Sequence, residues 1–233
     1  MLLRLGGRLA ARSAVMEIGC GVGRVAFALR YILAPEGRYT GFEIVRRKVE
    51  FTERHFHRAH PNFRFVWADV HNTHYNPRGR LRPTDYAFPA PDASQDLVFA
   101  ASVFTHMLPD NAAHYFRESA RVLRPGGRCV FSFFLLDHYR PGAPRPLGFA
   151  RADFAFDHAH GGHGDAFAVA FPADPERMTA YRRSLVERMA ADAGLRLAGE
   201  PFPGLWSGAH ELPVGAQDVV VLELVGAHAT TGG

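Results

Sequence analysis

The sequence contains little cysteine and almost no lysine. Cys20 and Cys129 are its only cysteines, which excludes a disulfide-stabilised scaffold, and we expect a protein of the reducing cytoplasm. Lys48 is the only lysine among 27 basic side chains, so the net charge of +4 comes from arginine. The densest basic cluster, within residues 78–82, is not interleaved with aromatic residues. The charge therefore predicts no nucleic-acid partner.

The sequence also lacks long hydrophobic runs. No stretch reaches the roughly 18 apolar residues that a membrane span needs, and residues 1–8 are too short in apolar length for a secretory signal. We expect no membrane partner. Hydrophobic residues make up 47% of the chain and charged residues 21%, a composition that excludes disorder and collagen. The length of 233 residues favours one domain, residues 1–233. Nothing in the sequence indicates an oligomeric state.

Short apolar strands alternate with amphipathic helices along the chain. This order predicts an α/β fold with a doubly wound sheet and helices on both faces. Strands are predicted at 15–18, 39–43, 63–68, 96–103, 129–136, 195–198 and 218–225, and helices at about 22–32, 46–59, 110–124 and 174–193. The third helix is expected to be capped by Asp110 or Asn111 and ended by residues 125–127, and the fourth to start at Asp174-Pro175. Segment 71–94 is predicted to be a long crossover loop, and segment 137–173 is far longer than an ordinary connection, which is typical of functional or disordered segments.

A glycine-rich loop follows the first predicted strand. Gly19, Gly21 and Gly23 permit close backbone approach to a ligand, and the helix that follows directs its free N–H groups at the same place. A dinucleotide-binding loop would have its third glycine at position 24, where this chain has Arg24. Glu43 ends the second predicted strand, where a carboxylate can accept both hydroxyls of a ribose. The pattern predicts nucleoside binding without requiring a pyrophosphate.

Four segments in order resemble the motifs of class I S-adenosylmethionine-dependent methyltransferases. These are residues 15–23, Gly41-Phe42-Glu43-Ile44, Ala68-Asp69-Val70, and Arg121 to Gly127. The resemblance covers about residues 14–136 and implies a Rossmann-like sheet of seven strands, mostly parallel, with an antiparallel last strand. Residues 75–77, 102–107 and 217–218 are similar to a bacterial subgroup that acts on small molecules.

The resemblance also implies roles for individual residues toward S-adenosylmethionine and its product S-adenosylhomocysteine. Gly19, Gly21 and Gly23 would pack against the methionine portion, and Glu17 would order their loop. The ribose hydroxyls would be held by Glu43, with Ile44 beside it, and the adenine by Asp69 and the backbone of Val70, while Ser102 and Val103 would line the sulfonium side. The chain has only about a dozen residues before the first strand, where many relatives carry substrate-covering helices. Substrate recognition is therefore expected from segments 71–94 and 137–173, or the start of the sequence is truncated.

His106 is the candidate catalytic residue. Methyl transfer is an in-line displacement that needs a base only when the nucleophile arrives protonated, and histidine suits that role near neutral pH. His106 directly follows the fourth strand, where the methyl group is expected, although a purely structural role in capping the next loop fits the sequence equally well. The candidate substrate contacts are Tyr75 and Asn76 in the crossover segment and His138 and Tyr139 after the fifth strand.

Residues 157–165 combine three histidines, His158, His160 and His163, with two aspartates at spacings that metal ions accept. A disordered or lid-forming loop rich in glycine and histidine explains the segment more simply, so no metal site is predicted.

Three other functions compete with small-molecule methylation. A nucleic-acid methyltransferase that modifies a planar amine would carry an Asn/Asp/Ser-Pro-Pro-aromatic turn where this chain has residues 102–105. A nicotinamide enzyme is disfavoured by Arg24. A protein that binds S-adenosylmethionine without methylating, or that uses it for another reaction, remains open. The leading hypothesis is methyl transfer to oxygen, nitrogen or carbon of a small organic acceptor.

Overall fold

A seven-stranded sheet forms the centre of the structure, a computed structural model that describes residues 6–56, 59–140, 155–208 and 215–225. Its strands are β1 (Ala14–Ile18), β2 (Arg38–Glu43), β3 (Phe63–Trp67), β4 (Gln95–Ala100), β5 (Leu123–Phe133), β9 (Leu195–Leu197) and β10 (Asp218–Leu224). Their order is β3-β2-β1-β4-β5-β10-β9, and β10 runs antiparallel to both neighbours. The predicted doubly wound, mostly parallel sheet with an antiparallel last strand is confirmed.

Within the described residues, four helices accompany the sheet: α1 (Arg24–Leu29), α2 (Arg46–Phe56), α3 (Pro109–Val122) and α4 (Arg183–Asp192). Successive side chains of a strand point to opposite faces. In β1, Met16 and Ile18 therefore join one buried cluster, with α3 and α4, while Val15 joins a second, with α1 and α2. Both faces of the central strands are buried, which explains why these strands read as continuous apolar runs. Among the described residues, no helix is long and apolar enough to cross a membrane.

The fourth and fifth strands differ from their predicted bounds. β4 ends at Ala100, because Ser102 adopts a left-handed φ of 58° that breaks the extended backbone. β5 begins at Leu123, so the Pro-Gly-Gly segment that was expected to end a helix is part of a strand. The helix before it begins at Pro109 with Leu108 as its N-cap and no side-chain cap, so neither Asp110 nor Asn111 caps it.

The segment after β5 forms a small antiparallel sheet instead of only a loop. Its strands are β6 (His158–Ala159), β7 (Phe167–Val169) and β8 (Thr179–Tyr181). Asp174-Pro175 does not start a long helix; Pro175–Arg177 is a single 3-10 turn, and α4 begins only at Arg183. Proline fits the first position of an α-helix and of a 3-10 turn alike. The turn stays short because β8 begins at Thr179. Residues 141–154 of the predicted covering segment lie outside the described residues.

A buried carboxylate fastens the start of β10 to the end of β5. Asp218 accepts hydrogen bonds at Oδ2 from the backbone N–H of Leu135 (2.9 Å) and from Nε1 of Trp206 (2.6 Å). Its Oδ1 accepts from the backbone N–H of Gly204 (2.9 Å) and from Nδ1 of His138 (2.8 Å). Four donors compensate the cost of burying this charge.

Candidate functional site

A cavity of about 240 Å³ opens at the carboxyl ends of β1, β2 and β4. Ligands of doubly wound sheets bind at this edge. Nine of the fifteen residues predicted for the site line the cavity: Gly19, Gly21, Glu43, Ile44, Val70, Tyr75, Ser102, Val103 and His106. Residues from the glycine loop, the crossover segment and the turn after β4 thus meet at one place.

The glycine loop is shaped for close contact. Gly19, Gly21 and Gly23 have φ values of 67°, 56° and 79°, a region that side-chain-bearing residues rarely adopt. A Cβ on Gly19 would lie 2.6 Å from Cγ2 of Val103, whereas one on Gly21 would meet nothing within 4 Å. The loop therefore packs tightly against the turn after β4 at Gly19 and leaves open space at Gly21.

Glu43 is held in place by the loop that faces it. Its Oε2 accepts the backbone N–H of Gly21, and its Oε1 accepts that of Val45, both at 2.9 Å. Lys48 Nζ lies 3.8 Å from Oε2. The residue is 5% exposed and lines the cavity, so a fixed carboxylate is presented to any ligand there.

Ser102 forms the opposite wall and is held by Ser132 of β5 and by Gln217, which directly precedes β10. Its backbone N–H donates to Oγ of Ser132 (2.7 Å), and its own hydroxyl donates to Oε1 of Gln217 (3.1 Å). Oγ of Ser132 donates to that same Oε1 (2.7 Å). This network holds the left-handed turn that brings Val103 against the glycine loop.

The ring of His106 is oriented by a backbone carbonyl. Its Nδ1 lies 2.8 Å from the carbonyl oxygen of Arg177, which only accepts, so Nδ1 carries the proton. Nε2 is therefore the basic atom of the neutral ring, and Tyr75 Oη lies 3.3 Å from it. Burial lowers the pKa of His106 below its usual 6.5, so the ring is neutral at pH 7. The arrangement suits a general base.

The crossover segment is fastened to the 3-10 turn beside His106. The backbone N–H of Thr73 donates to Oε2 of Glu176 (2.6 Å), and His74 Nδ1 lies 2.8 Å from Oδ2 of Asp174. Nδ2 of Asn72 donates to the carbonyl oxygen of His106 (3.1 Å). The turn therefore fixes one side of the cavity.

Three residues assigned to the cofactor by resemblance do not line the cavity. Glu17 is buried beneath the loop, where the Tyr39 hydroxyl donates a hydrogen bond to its Oε2; desolvation raises the pKa of Glu17 to about 8. A Cβ on Gly23 would lie 3.1 Å from the Phe56 ring, so this glycine lets α1 approach α2. Asp69 pairs with Nε of Arg80 at 2.6 Å, and this hydrogen bond lowers the pKa of Asp69.

The structure also keeps three predicted substrate contacts away from the cavity. Nδ2 of Asn76 donates to the carbonyl oxygen of Val70 (2.9 Å), so its side chain shapes its own turn. His138 is bonded to Asp218, and the ring of Tyr139 stacks on that of Trp206 with centroids 6.1 Å apart. Because β5 ends at Phe133, the chain has already turned toward β10 when it reaches these two residues.

Lys48, Arg24 and Glu176 line the cavity but were not predicted as site residues. A lone lysine in an arginine-rich chain, five residues after Glu43, was a usable signal for Lys48. Glu176 gave no signal, because it comes from a turn whose sequence reads as a helix start and reaches the cavity only through the β7–β8 pairing.

No metal centre is found in the described part of the chain. No group of three or more His, Cys, Asp or Glu side chains there converges as metal ligands require. His158, His160 and His163 lie on β6 and the turn that follows it.

Comparison with known proteins connects this geometry to one family. Residues 15–127 match the family model described as a methyltransferase domain. The chain is similar to 27-O-demethylrifamycin SV methyltransferase of Amycolatopsis mediterranei (strain S699), with 35% identity over 62% of this chain and 46% of that protein. The chain spans less than half the length of the curated relatives it matches.

Two solved structures show the same fold. The CcbJ methyltransferase from Streptomyces caelestis superposes with a TM-score of 0.58 and 18% identity, covering 94% of this chain and 86% of that one. The [4+2]-cyclase SpnF superposes with a TM-score of 0.59 and 14% identity, covering 97% and 79%. One architecture thus supports more than one chemistry, and the reaction has to be argued from the site.

Proposed function

We propose that the chain is a class I S-adenosylmethionine-dependent methyltransferase that transfers a methyl group from S-adenosylmethionine to a small organic acceptor and releases S-adenosylhomocysteine. Oxygen and nitrogen are the acceptor atoms that a histidine base favours, since both carry a proton that must leave. In this proposal residues 1–233 belong to one domain, and segment 71–94 together with the described residues of segment 137–173 would cover the substrate.

The residues of the cavity fit the cofactor. When bound, S-adenosylmethionine supplies an electrophilic methyl group on a sulfonium. Glu43 would accept the ribose hydroxyls, Gly19 and Gly21 would contact the methionine portion, and Val70 with Ile44 would contact the adenine. Ser102 and Val103 would line the sulfonium side. Asp69 would reach the adenine amino group only by leaving Arg80, so its role depends on breaking that pair.

His106 would accept the acceptor's proton at Nε2. The Arg177 carbonyl keeps the proton on Nδ1, so the lone pair of Nε2 points away from that carbonyl. Tyr75 Oη, 3.3 Å from Nε2, occupies the position that an acceptor hydroxyl would take, so it would move aside when the acceptor binds. The rings of Tyr75 and His106 meet edge to face with their centroids 5.1 Å apart. Most of the rate enhancement would come from aligning the nucleophile, and proton removal would add to it.

The observation that carries the proposal is the Glu43 carboxylate, fixed by the Gly21 N–H in the cavity that also contains His106. Calorimetric titration with S-adenosylhomocysteine tests binding, and mass spectrometry of an acceptor panel incubated with S-adenosylmethionine tests transfer. Binding with methylated products supports the proposal. Binding without any methyl transfer favours the alternative of a non-methylating adenosylmethionine protein. Absence of binding overturns the assignment of the site.

Cytoplasmic location remains part of the proposal. Cys20 and Cys129 are both buried and free, as expected for a protein kept under reducing conditions.

A further inference from the structure

The turn before β8 places a carboxylate in the cavity that the proposed methyl transfer does not use. Glu176 is 4% exposed and lines the cavity. Its Oε2 accepts the backbone N–H of Thr73, a neutral donor, at 2.6 Å. Among the described residues, no Arg, Lys or His side chain forms an ion pair with it within 4 Å.

Two other charged residues of the cavity, Lys48 and Glu43, lie close to each other. Lys48 is directed at Glu43, with Nζ at 3.8 Å from Oε2, and it also stands 5.5 Å from the centre of the Tyr75 ring. Glu43 in turn is fixed by two backbone N–H groups and is assigned to the ribose. Glu176 is thus the cavity carboxylate without a cation beside it in the described part of the chain.

A buried carboxylate is costly unless a cation or several hydrogen-bond donors compensate it. Asp218 shows the compensated case in this protein, since four donors surround its two oxygens. Glu176 has one. Because Glu176 lines the cavity, a bound ligand can supply the positive charge that compensates its carboxylate.

Glu176 also stands beside the candidate base. Its neighbour Arg177 holds Nδ1 of His106 through its carbonyl oxygen at 2.8 Å. A ligand group bound by Glu176 would therefore share the cavity with His106, which also lines it.

We infer that Glu176 binds a cationic amino group of the acceptor, so that the substrate is an amine-bearing small molecule methylated at a second, separate position. This inference rests on the proposed function, because it takes the space beside His106 as the acceptor site. The ammonium forms a charge-assisted hydrogen bond with Glu176, and the nucleophile, a hydroxyl or a second nitrogen, faces Nε2 of His106. The carboxylate selects the acceptor and takes no part in the bond exchange.

A matched pair of probes separates charge from shape. Tyramine and 4-ethylphenol share a phenol and a two-carbon side chain, and only tyramine carries an ammonium at pH 7. Each is titrated calorimetrically into protein saturated with S-adenosylhomocysteine. We expect tyramine to bind at least about tenfold more tightly than 4-ethylphenol, because its ammonium forms a desolvated charge pair with Glu176.

Glu176→Gln keeps the acceptor oxygen for the Thr73 N–H and removes the charge. It should reduce the tyramine preference to within about twofold while leaving the affinity for S-adenosylhomocysteine unchanged. Asp174→Asn is the matched control, because Asp174 fastens the same turn to His74 but does not line the cavity. It should leave the preference in place.

The inference is overturned if tyramine binds no better than 4-ethylphenol to the wild-type protein, including the case in which neither binds. It is also overturned if Glu176→Gln keeps the preference or if Asp174→Asn abolishes it equally. Failure of the proposed function looks different: S-adenosylhomocysteine itself would not bind, or no acceptor would be methylated.

Discussion

The backbone N–H of Gly21 donates a 2.9 Å hydrogen bond to Oε2 of Glu43, which joins the glycine loop after β1 to the end of β2. The carboxylate is therefore oriented before any ligand arrives. A group fixed in its bound position loses little conformational freedom on binding, and the affinity gained is correspondingly larger. The pair also makes the loop conformation depend on Glu43.

Removing this carboxylate should weaken cofactor binding. Glu43→Ala deletes the ribose acceptor and leaves the Gly21 N–H without its partner, so we expect the affinity for S-adenosylhomocysteine to fall at least about tenfold, or about 1.4 kcal/mol. Calorimetric titration measures it. Glu50→Ala is the control, because Glu50 is exposed on α2 and pairs with Arg46. Equal affinities for the two variants would refute the assignment of Glu43.

His106 should set the acid limb of the reaction. Its pKa is lowered by burial, so the basic form predominates at and above pH 6.5, and the single-turnover rate should fall only as the pH drops below that value. His106→Gln should lower the rate at pH 7 by about 100-fold or more and remove the acid limb, with cofactor affinity unchanged. A wild-type rate in this variant would exclude His106 as the base.

Because Gly19 packs against Val103, substituting Gly19 by alanine should lower the free energy of unfolding more than the same substitution at Gly126. Gly19→Ala and Gly126→Ala both force alanine into a left-handed backbone, at φ 67° and 80°, which costs about 1–2 kcal/mol. Only the first brings a Cβ within 2.6 Å of Val103, so it should lose roughly 1 kcal/mol more in urea unfolding. Val103→Ala in the same chain should restore part of that loss. A loss no larger than that of Gly126→Ala would contradict this contact.

The His138–Asp218 pair should make stability depend on pH. Asp218 raises the pKa of His138 above 6.5, so the pair contributes fully below the unfolded-state value of about 6.5, and the contribution is lost as the pH rises through the folded-state pKa. The difference in free energy of unfolding between wild type and His138→Asn should be largest at pH 6 and shrink toward pH 8.5. Urea titrations across that range check it, and a difference independent of pH would contradict it.

Divalent metal ions should be dispensable for activity. Treatment with a chelator followed by gel filtration is expected to leave single-turnover methylation unchanged, since the candidate base and the glycine loop need no Lewis acid. The matched variant is His160→Ala, which removes the middle histidine of the 158–163 segment. Loss of activity that one added ion restores, in wild type and not in His160→Ala, would establish a metal site there.

The sequence predicted the sheet and the glycine side of the site because those features are local. A strand, three glycines and a helix are read within ten residues of Gly19, and Glu43 follows from the next strand by the same alternation. His106 is found because it lies in the short turn after the carboxyl end of β4. In these cases the chain position alone determines which edge of the sheet a side chain reaches.

The acceptor side depends on long-range pairing that no local pattern shows. Glu176 reaches the cavity through the antiparallel pairing of β7 with β8 and the bond to Thr73, more than one hundred positions earlier in the chain. His138 and Tyr139 were expected in the cavity because they follow β5. Instead, the hydrogen bond between His138 and Asp218, which lie 80 positions apart in the chain, holds His138 and Tyr139 away from the cavity. Tertiary contacts of this kind override the local signals.

The placement of β10 has a consequence for how the protein is made. β10 follows β9 in the chain, yet it lies between β5 and β9. On the ribosome, strands β1 through β5 of a nascent chain can pair early. The outer edge of β5 and all of β9 stay unpaired until residues 218–224 have emerged. Until then the apolar edge at Cys129–Phe133 is open to pairing with another chain. Slow translation of residues 218–224 should increase aggregation during synthesis.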